Sequence, residues 1–78
     1  MSSFHIQYTS HALDVLKERN LSKELVESVI RRPEWKEPVS KEVWCVFRRI
    51  GKKVLRVVVK GRGESYTVIT AYYDRRKA

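Results

Sequence analysis

The chain has 78 residues, 42% hydrophobic and 33% charged, with three glycines and two prolines, a composition that excludes a disordered chain and a length that leaves material for one small core only. Cys45 is the single cysteine, which excludes a disulfide framework or a thiol metal site within the chain, and no apolar run approaches the roughly 18 residues of a membrane span. The net charge of +8 is one-sided: residues 48–78 carry ten Lys or Arg against Glu64 and Asp74, while residues 1–47 carry seven bases and seven acids.

From the N-terminus, Phe4, Ile6 and Tyr8 alternate with His5 and Gln7, the period of a short half-buried strand. Met1 to Tyr8 offers neither the charged nor the apolar region of a secretory leader, so a reducing cytoplasm is the expected compartment. Thr9 or Ser10 caps a first helix over about 10–19, with Ala12, Leu13 and Leu16 at helical spacing and Asn20, a residue that tolerates the left-handed conformation, at its end. Ser22 opens a second helix in which Leu25, Val26, Val29 and Ile30 form the apolar stripe and Glu27 and Arg31 stand at i,i+4; Pro33 stops it. Residues 33–42 hold both prolines and no periodicity, and read as the longest connection, with Trp35 its odd member.

Three runs rich in β-branched and aromatic residues follow, Val43 to Ile50, Val54 to Lys60 and Ser65 to Tyr73. The connections Gly51-Lys52-Lys53 and Gly61-Arg62-Gly63-Glu64 suit only antiparallel hairpins. The expected fold is α+β: two N-terminal helices packed on one face of a three- to four-stranded antiparallel meander sheet, one domain over 1–78, with 74–78 a basic tail. One Asn and one Gln among so many charges suit a thermophile's composition.

Tyr8-Thr9-Ser10-His11-Ala12, Glu18-Arg19-Asn20-Leu21-Ser22, Pro33, Leu55-Arg56-Val57-Val58-Val59 and Val68-Ile69-Thr70-Ala71-Tyr72 resemble a small prokaryotic family, domain-of-unknown-function family 4258. That family is similar in layout to the RelE/ParE and BrnT toxins of toxin–antitoxin pairs. The resemblance implies a RelE-like arrangement, a metal-independent endoribonuclease activity and an acidic antitoxin protein that covers the basic face. Members usually carry an arginine one turn after the histidine, where this chain has Val15.

Metal-free RNA cleavage needs a base for the 2′-hydroxyl, an acid for the leaving oxygen and cations on the phosphate. His11 is the titratable candidate, at a helix N-terminus where anions are favoured, with Asp14 three residues on and Glu18 farther along the same face. Arg56 is the phosphate residue; with a three-residue loop, Arg48 lies opposite it on one sheet face. Tyr72 and Tyr73 point to opposite faces, so one is free to stack on a base or donate to a phosphate. His11, Arg56 and Tyr72 thus form the catalytic set, and Arg19, Arg48, Lys52, Lys53, Arg75 and Arg76 the nucleic-acid-binding set. No cofactor or metal is expected. RNA is the expected partner, and the charge-balanced helices argue against a membrane surface. A non-catalytic RNA-binding module, or a domain that binds an acidic protein through its basic sheet face, fits the same charge pattern. Oligomeric state stays open.

Overall fold

Ile6 and Tyr8 point one way and His5 and Gln7 the other, and in the computed structural model, which describes residues 5–74, His5–Tyr8 is strand β1. Helix α1 (Ser10–Glu18) follows, capped by the Thr9 hydroxyl, which accepts from the Ala12 N–H at 3.0 Å. Such a cap contributes about 1 kcal/mol. Asn20 takes φ 57° just past its end. Ser22 caps α2 (Lys23–Arg31) in the same way, accepting from the Leu25 N–H. Then come β2 (Trp35–Ser40), β3 (Val43–Ile50), β4 (Lys53–Arg62) and β5 (Ser65–Tyr73).

The five strands form one mixed sheet in the order β1-β5-β4-β3-β2. β1 lies parallel to β5 at one edge, and the remaining pairs are antiparallel. This overturns the expected architecture: the helices come after the first strand, and the sheet has five strands of mixed direction in place of a three- or four-stranded antiparallel meander. Two segments account for the difference. His5–Tyr8 is too short to hold itself but finds β5 beside it. The supposed connection at 33–42 is largely β2, an edge strand that tolerates Pro38 because only one of its sides is paired.

The hairpin turns are also tighter than expected. Ile50 pairs with Lys53 and Arg62 with Ser65, so the turns are Gly51-Lys52 and Gly63-Glu64, each opening on a glycine at φ 63°, the glycine-first pattern of two-residue hairpins. One residue less in a turn moves every side chain of the following strand to the other face.

Both helices pack on one face of the sheet. The main core sits there: Ala12, Leu16, Val26, Val29 and Ile30 from the helices against Val46, Leu55, Val57, Val59, Val68 and Ala71. A smaller cluster of Cys45, Phe47 and Val54 lies on the opposite, open face, with Trp35 and Val58 against it.

Candidate functional site

The register of the antiparallel strands brings four side chains into one row across the open face. Trp35 pairs with Phe47, Phe47 with Arg56, and Arg56 with Tyr72. Directly paired residues share a face and approach to within about 5.5 Å at Cα, so the row is continuous. The rings of Trp35 and Phe47 stack with centroids 5.0 Å apart and planes 6° from parallel. Trp35 Nε1–H donates to Glu37 at 3.3 Å. The Arg56 guanidinium lies 4.9 Å from the Phe47 centroid and 5.6 Å from that of Tyr72. Beneath this cover Phe47 is fully buried.

Arg56 is fixed by its donors. One terminal nitrogen donates to the Tyr72 hydroxyl at 2.9 Å, and the other pairs with the Asp74 carboxylate at 2.8 Å. Its Nε is buried without a hydrogen-bond partner among the described residues. Burial works against the charge, but the Tyr72 hydrogen bond, with Tyr72 and Asp74 close by, outweighs it and holds the Arg56 pKa above its ordinary value. Asp74 follows from the chain itself. It stands two residues beyond Tyr72, on the same face, its N–H continuing the ladder to the Val54 carbonyl at 2.8 Å, and it is buried. It therefore continues the sheet beyond the end of β5.

Tyr72 takes part as an acceptor from Arg56, which leaves its own hydroxyl proton uncommitted among the described residues. Arg19 reaches its ring from the other side, 6.0 Å from the centroid. This approach is set by the N-terminus of α1. The Thr9 N–H donates to the Val68 carbonyl, and the Thr9 hydroxyl donates to the Ile69 carbonyl. α1 thereby starts where β1 stops and runs beside the second half of β5, which carries its C-cap residue Arg19 to Tyr72.

The expected site residues are only partly gathered. Arg56, Tyr72 and Arg19 meet. His11 is exposed on the first turn of α1, with no hydrogen bond or ion pair among the described residues, and Asp14 and Glu18 are likewise exposed. The expected Arg48–Arg56 pair does not form: Arg48 pairs with Leu55 and so belongs to the helix-side face, because the first turn has two residues and not three. Lys53 is on that same face, its Nζ 5.0 Å from the centroid of Tyr73, which packs on the main core. Lys52 is on the turn. Arg75 and Arg76 lie outside the described residues.

Nor does the open face hold most of the positive charge. Its described charged side chains are Arg49, Arg56 and Lys60 against Glu37 and Asp74, close to balance. The cations gather at one end of the sheet, around the Gly51-Lys52 turn: Arg49 on the face of the row, Arg48 and Lys53 on the helix-side face, and Lys52 on the turn itself. Phe47, Trp35, Asp74 and Arg49 were not singled out in the sequence as site residues. Counting two positions on from Tyr72 would have found Asp74, whereas Trp35 and Phe47 needed the register of β2.

Among the described residues no group of three or more His, Cys, Asp or Glu is placed to hold a metal ion, and no helix is long and apolar enough to cross a membrane. Comparisons with curated proteins and with solved structures returned no match. A family model does match, over residues 8–73, a span that holds all of the row from Trp35 to Tyr72 together with Arg19 and His11. The chain belongs to the family described as Domain of unknown function (DUF4258).

Proposed function

We propose that the chain is a toxin-like RNA-interacting domain, a relative of the RelE/ParE and BrnT type, that holds single-stranded RNA at the Tyr72 end of its open face. The observation that carries this reading is the assembled row of Trp35, Phe47, Arg56 and Tyr72, bordered by Arg19, Arg49 and Lys52. Aromatic and guanidinium planes are what unstacked bases lie on, and cations around them follow the backbone. Arg56 is already balanced by Asp74, so it orients Tyr72 and the flanking cations meet the phosphates.

Cleavage in this reading is metal-independent. The 2′-hydroxyl attacks its own phosphate after losing its proton to the base, His11, and Tyr72 gives its proton to the departing 5′-oxygen, leaving a cyclic phosphate. An acidic antitoxin would neutralise the basic end. One observation favours the alternative of binding without cleavage: His11 stands apart from the row. Incubating the protein with single-stranded RNA in chelator tests both. Cleavage that is lost in Tyr72→Phe and His11→Ala supports the enzyme. Salt-sensitive binding with intact RNA supports the binding module, and absence of binding removes the RNA reading altogether.

A further inference from the structure

The helices leave one end of their own sheet face uncovered. α2 stops at Arg31, and beyond it Trp44, Val59 and Tyr66 line a groove of about 470 Å³, closed on the helix side by Ile30. Gly61 makes the room: a Cβ there would meet the Ser65 carbonyl oxygen and lie 2.9 Å from Cδ1 of the Tyr66 ring. The ring lies against bare backbone, and Gly61 adds no side chain between it and Trp44. Two cations stand at the rim. Lys36 rests with Nζ 5.6 Å from the Trp44 centroid, with no ion pair among the described residues. Arg31 has Glu27 at 3.9 Å, the margin of contact, and its side chain is 57% exposed, so that pair is weak and screened. Glu42, on the β2–β3 turn, is the one acid in the lining.

We propose that this groove receives a bulky apolar side chain from an acidic peptide segment of a partner protein. The volume falls in the range of ligand pockets, roughly 300–1,000 Å³. Trp, Tyr and Arg together are the residue types that dominate binding energy at protein interfaces. Ile30 and Val59 close the groove from beneath and are themselves buried, so the surface offered to an incoming side chain is that of Trp44 and Tyr66. Arg31 and Lys36 outnumber Glu42, and the chain carries +8, so acids beside the anchoring side chain are attracted and bases repelled. The groove is on the opposite face of the sheet from Arg56, and the proposal does not rest on the RNA reading.

Selection of random displayed peptides on the purified protein provides the test. The recovered peptides should place Asp or Glu around Leu, Phe or Trp. Their affinity, read by fluorescence polarisation, should fall about tenfold or more for Lys36→Glu and for Trp44→Ala, while Lys17→Glu, the same charge change on exposed α1, leaves it unchanged. Lys36 is an exposed side chain, so its variant keeps the fold where Trp44→Ala fails to. Recovery of no peptides, peptides without acids, or affinity that ignores Lys36→Glu or falls equally with Lys17→Glu would overturn the proposal. So would an oligouridylate that binds the protein and loses that binding on Lys36→Glu, since the groove would then belong to nucleic acid.

Discussion

Arg56 is held in a single geometry, and the effect of removing it follows from what is left behind. Asp74 is buried and faces the guanidinium at 2.8 Å. Arg56→Met leaves that carboxylate without its cation, a change that costs about 3–5 kcal/mol when the pair is fully buried; with 23% of the Arg56 side chain exposed, about 2–3 kcal/mol is expected. The double variant Arg56→Met, Asp74→Leu removes both charges and should recover most of the loss. Denaturant titration of the wild type, both single variants and the double variant closes the cycle, and additive effects would show the two residues to be uncoupled. At this scale the sequence was partly legible. Arg56 and Tyr72 could be chosen for their chemistry, and Tyr72 could be set on the face opposite Tyr73 from alternation alone. Arg48 could not be placed, because its face depended on whether Lys53 belonged to the turn or to the strand.

Between elements, one side-chain hydrogen bond titrates. The Tyr8 hydroxyl, at the end of β1, donates to the Glu27 carboxylate of α2 at 2.6 Å, and Lys23 lies 5.2 Å from its ring. Burial first, then the hydrogen bond to Glu27 and its charge, raise the Tyr8 pKa well above the usual phenol value. The folded value is above the unfolded one of about 10, so the stabilisation is fully present below pH about 10 and is lost as pH rises through the folded value. Wild-type stability should therefore decline in that alkaline range, and Tyr8→Phe should remove this part of the decline while lowering stability at neutral pH by about 1 kcal/mol. Parallel urea titrations across the alkaline range measure it, and identical slopes for the two proteins would refute it. The helices were legible as elements because Thr9, Ser22, Asn20 and Pro33 mark their ends by local chemistry. β2 was not. Its Trp35 and Glu37 face Phe47 and Cys45, and its strand conformation comes from that pairing, a non-local term that outweighs Pro38 and the flanking charges.

Across the whole molecule the charge has a definite geography, and it sets a measurable quantity. Arg56 is cancelled by Asp74, and the open face is near balance. The cations on the side of Tyr72 with no ion pair among the described residues are Arg19, which approaches its ring, and Arg49 and Lys52 at the Gly51-Lys52 turn. If these three meet phosphates of a single strand, the logarithm of the binding constant should fall with the logarithm of salt concentration with a slope of about −2, at roughly 0.7 per neutralised phosphate. Arg49→Glu with Lys52→Glu should reduce that slope to about −0.7 and weaken binding to all sequences alike, because phosphate contacts carry no base identity. Lys17→Glu and Lys23→Glu, on the charge-balanced helices, make the same change in net charge and should affect the slope less. Equal effects from the two double variants would mean that RNA senses only the total charge of the chain. A slope near zero would mean that the basic end is not held against phosphate, and the acidic-protein reading of the charge would then stand in its place. The experiment thus distinguishes a site from a general attraction, which the sequence total of +8 by itself does not.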